Sequence, residues 1–167
     1  MTPVDKAHIL VNKIQDNFRH DVISTVVFRG EVTHIIEKNA LKAVCNFLKD
    51  DNDLRMNCLV DVAGVDYSPS SPRFEVVYHL YSISKKHRLR LKVKVGEGEG
   101  VPSVTGIWSG ADWPEREAYD MFGIVFEGHP NLKRIYMPEE WEGHPLRKDY
   151  PLRGYKDRYN PYGVEKE

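Results

Sequence analysis

Between Arg88 and Val95 the chain alternates without a fault. Leu89, Leu91, Val93 and Val95 are apolar, while Arg88, Arg90, Lys92 and Lys94 are cationic. A pleated strand sends successive side chains to opposite faces, so this segment predicts a strand with one buried face and one cationic, wet face. Whatever the rest of the chain does, it must supply a core for one side of that strand.

The neighbouring patterns supply candidates. Val4, Ile9, Leu10, Ile14 and Phe18 recur at helical spacing and predict a first helix over 3–18. Val22 to Phe28 is β-branched and apolar; with 32–36 across the Arg29-Gly30 turn it predicts a hairpin. Asn39 is placed to cap a helix over 40–49, with Leu41, Val44, Cys45 and Leu48 on its apolar face. Asp50 to Asp53 reads as a turn, because it lacks the ligand spacing and glycine of a calcium loop. A long apolar strand follows over 54–65, broken at Gly64. After the turn-rich Ser68 to Pro72, another strand spans 73–83. Helix, hairpin, helix and then successive strands predict an α+β fold, a mixed or antiparallel sheet with helices packed on one face.

The texture changes after Phe126. Five prolines in the last 41 residues forbid long regular elements. Yet Leu132, Ile135, Tyr136, Trp141, Leu146, Leu152 and Tyr162 make the segment too apolar for a free disordered tail. The expected organisation is an α+β domain over 1–126 and an extended segment over 127–167 that wraps its own domain or a partner.

Composition excludes several classes. The 167 residues suit one domain, with room for an appended segment, and the formal net charge is −1. That balance provides no general attraction to nucleic acid. The N-terminal residues mix charges among apolar positions, unlike a signal peptide. No run approaches the roughly 18 apolar residues of a membrane span. A cytosolic chain, or one attached to a membrane through partners, is expected. Cys45 and Cys58 read as reduced, buried thiols.

No residue pattern announces a reaction. Gly96 to Gly100 follows a strand, but its glutamates would repel phosphate, so a turn is expected. Asp112, Glu115, Glu117 and Asp120 cluster on a predicted helix over 112–122. Asp112 suits an N-cap, Glu115 a capping box, and Arg116 can pair with Asp120 four residues on. The seven histidines, His129 and His144 among them, lack zinc-site spacing, and no nucleophile motif is present. Residues 143–158 carry a local net charge of +3 with interleaved tyrosines. Composition leaves an RNA-binding tail and a protein-docking strip equally open.

Glu115-Arg116-Glu117, then Asp120, Met121-Phe122, His129, Lys133 and Ile135-Tyr136 resemble the signature of a family in respiratory complex I, the C-type or thirty-kilodalton subunits. Trp141 to Pro151, with His144, Arg147, Asp149 and Tyr150, is similar to the family's C-terminal stretch, and Pro102-Ser103-Val104 with Trp108 to the part before it. The resemblance implies a non-catalytic structural subunit in the hydrophilic arm of a proton-pumping NADH:quinone oxidoreductase. It implies no cofactor or metal in this chain; neighbouring subunits would carry the iron–sulfur clusters, FMN and the quinone site. The implied partners are the large quinone-site subunit and the iron–sulfur subunits, with no nucleic acid. Membrane contact would come only through those partners, on the cytoplasmic side of the cell membrane. Photosynthetic NDH-type complexes and membrane-bound hydrogenases contain relatives of the same subunit. Under this reading the ten signature and C-terminal residues from Glu115 to Tyr150 are interface residues. Charge reversal at Arg147 or Arg153 is then expected to loosen assembly while leaving the isolated chain's melting temperature unchanged.

Overall fold

A computed structural model describes residues 3–165; the side chains of residues 3–6, Val4 included, lie outside what is described. Helix α1 (Pro3–Phe18) leads into strands β1 (Val22–Phe28) and β2 (Glu31–Ile36), which pair antiparallel. Arg29 and Gly30, both at positive φ, make the two-residue turn between them. Two left-handed residues match the natural twist of a hairpin, and glycine bears the second at no steric cost.

A 3-10 turn (Lys38–Ala40) precedes α2 (Leu41–Asp50), and Ala40 rather than Asn39 holds the cap position, without a side-chain bond. Asn39 is itself wound into the turn, so its amide is not placed to cap. Leu41, Val44, Cys45 and Leu48 are all buried, as the helical spacing predicts.

Strand β3 (Cys58–Asp66) begins four residues later than its apolar run and passes through Gly64 unbroken. Leu54 and Met56 are buried but not in the strand. The Leu54 and Arg55 amides donate to the Asp51 carbonyl, and Met56 to Leu48, folding this stretch back onto the end of α2. Gly64 is needed because an added Cβ would stand 2.6 Å from the Phe122 ring. Cys58 is only half-buried, whereas Cys45 is fully so, and both are free thiols.

Strands β4 (Phe74–Ser82) and β5 (His87–Val95) complete a five-stranded sheet of order β1-β2-β5-β4-β3. It is mixed: β2 runs parallel to β5 and the other pairs are antiparallel. Leu89, Leu91, Val93 and Val95 join Val32, Ile36, Phe74, Val76 and Tyr78 in one core with Leu10, Ile14, Leu41, Leu48 and Ala118 from the helices. Each such large aliphatic side chain contributes about 1.5–3 kcal/mol by leaving water. The cationic face of β5 is partly neutralised from the strands beside it. Lys92 pairs with buried Glu75 at 2.7 Å, and Arg90 with Glu31 at 3.2 Å.

Short β6 (Gly100–Pro102) pairs parallel with β7 (Val125–Glu127). Between them lie a second 3-10 turn (Ser109–Ala111) and α3 (Asp112–Phe122), set against β3. Buried Trp108 anchors this entry, its indole N–H donating to the Met56 carbonyl at 3.0 Å.

Candidate functional site at the end of helix α3

The last turn of a helix leaves carbonyl oxygens without partners inside the helix. In α3 they are met by the segment that follows. His144 Nδ1 donates to the Asp120 carbonyl at 2.9 Å, the Leu146 amide to Met121 at 3.1 Å, and Arg147 Nε to Phe122 at 2.6 Å. The cationic Arg147 at this pole also suits the helix dipole. Gly123 permits the approach: it turns at φ +75°, and an added Cβ would stand 2.5 Å from His144 Nε2 and 2.6 Å from an Arg147 nitrogen.

Asp120 organises the rest. Its side chain is fully buried, and Oδ2 accepts three consecutive amides, from Ile135, Tyr136 and Met137, at 2.8–3.0 Å. Oδ1 accepts from Arg134 at 2.7 Å. Burial pushes this carboxyl up, but the amides and Arg134 outweigh it and hold it below the ordinary carboxylate value. Arg134 in turn donates to the carbonyls of Trp141 and Gly143, so one ion pair gathers residues 134–143 onto the helix.

The other signature residues are distributed around this clamp. Arg116 donates to the carbonyls of Lys133 and Arg134, with its guanidinium over Trp113. It therefore does not pair with Asp120, whose acceptors are already occupied. The exposed Lys133 side chain makes no ion pair among the described residues. Glu117 accepts from the Tyr136 hydroxyl at 3.3 Å. His129 Nδ1 accepts from the Asn131 amide, leaving Nε2 to donate to the Asp112 carbonyl at 3.2 Å. Burial lowers the pKa of His144, and nearby Arg147 and Arg134 add to that.

Two helix-start expectations are corrected. Ala111, not Asp112, is the N-cap of α3, because the 3-10 turn has already begun the winding. Glu115 does not close a capping box. It is fully buried and accepts from Ser103 Oγ at 2.6 Å and the Val104 amide at 2.8 Å, tying α3 to the two residues after β6. Burial raises its pKa above the ordinary value of 4.5. A folded state that prefers the protonated acid binds more protons than the unfolded chain, so stability falls as pH rises from about 4.5 through the raised pKa. Glu115→Gln should abolish that slope, which approaches about 1.4 kcal/mol per pH unit at its limit. Urea titrations of both proteins between pH 4 and 8 would show it, and parallel curves would count against it.

A second ionic group lies beside the first. Arg73 bonds buried Asp66 through two nitrogens at 2.9 and 3.1 Å, Glu97 at 3.1 Å, and Asp149 at 2.7 Å. Glu97 also receives Arg147 at 3.0 Å, while the Lys148 amide reaches Asp66. Tyr150 packs edge to face on Tyr155. Sequence patterns do not single out Arg134, Arg73, Asp66 or Glu97. The available signals are indirect: Arg134 stands between two signature positions, and Asp66 and Arg73 flank the Ser-Pro loop.

Arg147 thus joins the segment to the body of this chain, which changes one expectation. Arg147→Glu should lower the isolated chain's melting temperature by several degrees, losing a charged hydrogen bond of about 1.5–3 kcal/mol. Arg153 is exposed, and charge reversal there should leave melting unmoved. Thermal melts of the two variants separate these outcomes; equal shifts would contradict the assignment.

The arrangement has relatives. The profile of a family described as respiratory-chain NADH dehydrogenase, 30 Kd subunit, matches residues 34–156. The second C-type subunit of the NADH-quinone oxidoreductase of Rhizobium meliloti (strain 1021) is 59% identical over 121 residues, which are 72% of this chain and 66% of that protein. The C-type subunit from Geotalea uraniireducens (strain Rf4) is 52% identical over 145 residues, 86% of this chain and 87% of the relative. Among solved structures, the trypsin-resistant fragment (1–134) of Nqo5 has a TM-score of 0.66 and 30% identity, covering 76% of this chain and 99% of that one. A chain of the membrane-bound sulfane sulfur reductase, an archaeal respiratory membrane complex, shares the fold at a TM-score of 0.75 and 22% identity, covering 88% of this chain and 86% of that one. On the family profile and these identities, the chain belongs to the family of the 30 kDa subunit of respiratory-chain NADH dehydrogenase.

Proposed function

We propose that this chain is a structural and assembly subunit of the hydrophilic arm of a proton-pumping NADH:quinone oxidoreductase, without an active site of its own. The observation that carries this is the 52–59% identity to proteins named as C-type subunits of NADH-quinone oxidoreductases. The geometry supports it: signature residues Asp120, Arg116, His144 and Arg147 are engaged in holding one segment against α3. Elsewhere that segment is apolar and open, with Leu152 and Tyr162 almost wholly exposed. Tyrosine and arginine at such a surface are the residues interfaces favour.

In this reading residues 1–126 form the domain and 127–167 the segment that meets neighbours. The trypsin-resistant Nqo5 fragment, which covers 76% of this chain, supports a fold that stands without part of it. The partners are the large quinone-site subunit and the iron–sulfur subunits, which carry the clusters, with FMN elsewhere in the assembly. No helix among the described residues is long and apolar enough to cross a membrane. Attachment through partners on the cytoplasmic side is the matching placement.

The test is gentle detergent extraction of membranes carrying a tagged chain, followed by identification of what copurifies. Recovery of quinone-site and iron–sulfur subunits together with an NADH-oxidising module supports the reading. A ferredoxin- or hydrogen-using module in its place would correct the donor. Recovery of the chain alone, under conditions that preserve related complexes, would overturn it.

A further inference from the structure

Strand β1 is one edge of the five-stranded sheet, and no strand among the described residues flanks it on the outer side. Ile23, Val26, Val27 and Phe28 are each more than half exposed, although they point to both faces of the sheet. Natural edge strands are protected by charge, proline or a bulge. The strand Val-Ile-Ser-Thr-Val-Val-Phe has no charge and no proline. Its register shift lies at its start, between Val22 and Ser24, leaving Ser24–Phe28 a regular ladder. The opposite edge, β3, is different: it carries the charged Asp61 at its irregularity.

We propose that the outer edge of β1 pairs with an extended apolar strand of a neighbouring subunit, one that carries a carboxylate where it passes Arg29. This rests on the subunit reading above. Alternate residues of an edge strand turn their N–H and C=O outward, and only another extended backbone answers that row group for group. Among the described residues, β2 is the only backbone that hydrogen-bonds residues 22–28. A groove of about 510 Å³ lies at the start of this strand, between Val22, Ile23, Ser24 and Thr25 and the α1 residues Gln15 and Asp16, with Arg19 just beyond the helix. It would receive a side chain from that end of the incoming strand. At the far end Arg29 lies over the Phe28 ring at 5.2 Å and has no ion-pair partner among the described residues, which sets the charge of what passes there.

The test compares amide hydrogen exchange of residues 22–28 in the isolated chain and in the complex extracted with it. Pairing predicts that outward amides exchange about tenfold or more slowly in the complex. Val26→Lys with Val27→Lys places charge on a surface already exposed, so the isolated chain should melt as before while incorporation into the complex falls severalfold. Wild-type chain that copurifies with its partners yet shows no added protection would overturn this inference and leave the subunit reading standing. Failure of the wild type to copurify would remove both. A dimer of the isolated chain that the two lysines dissolve would assign the edge to a second copy, and so overturn it too.

Discussion

Asp120→Ala should lower the stability of the isolated chain by about 3–5 kcal/mol, the usual cost of removing one partner from a buried ion pair. The size follows from what is left behind. Arg134 is mostly buried and would face no counter-charge, and the amides of Ile135, Tyr136 and Met137 would lose their acceptor. The damage should also be local. With the clamp gone, residues 133–158 have fewer bonds to α3, and trypsin should cut there well before the sheet unfolds. Urea denaturation measures the first effect and a proteolysis time course the second. A loss under about 1 kcal/mol would mean that water replaces the carboxylate, and that Asp120 does not hold the segment.

Arg73→Met is expected to cost about 3 kcal/mol at neutral pH, for a related reason. The guanidinium serves three carboxylates, and Asp66 is all but fully buried. Met keeps the hydrophobic stem over Phe74 but leaves Asp66 with only the Ser68 and Lys148 amides. Lysine should rescue poorly, since an ammonium cannot fork to Asp66 while reaching Glu97 and Asp149. Acid provides an independent check. The Arg73 guanidinium holds the Asp66 carboxyl well below the usual range. A depressed carboxylate adds stability that is fully present above its unfolded value of 3.8 and is lost as pH falls toward the folded one. Wild type should therefore weaken below about pH 4, with Arg73→Met starting lower and falling less. Two acid limbs of equal steepness would locate the acid sensitivity elsewhere.

The helix spans show how far one chain can be read without its fold. Helix α3 occupies the predicted residues 112–122, and α2 is displaced by a single residue. Their beginnings depart from expectation together, because capping residues act only where the chain enters the helix extended. Here 3-10 turns precede both helices, and Asn39 and Asp112 are already wound. Glu115 is drawn off by Ser103 and Val104, and Asp120 by residues 134–137, although local spacing offers each a partner on its own helix. Nearby partners in sequence lose when a buried one can satisfy more of the group's hydrogen-bonding capacity.

By itself the sequence determined periodicity: which strands have one wet face, where the helices lie, that the proline-rich end cannot build long elements, and which family signature the chain carries. Periodicity is a local property of φ/ψ and side-chain direction, and it survives in a bare string of residues. Tertiary structure alone decided the parallel pairing of β2 with β5, the burial of Glu115, and the closing of α3 by His144, Leu146 and Arg147. Those depend on groups far apart along the chain meeting where water is excluded. There an unpartnered carbonyl or carboxylate is costly enough to choose its partner from anywhere within reach.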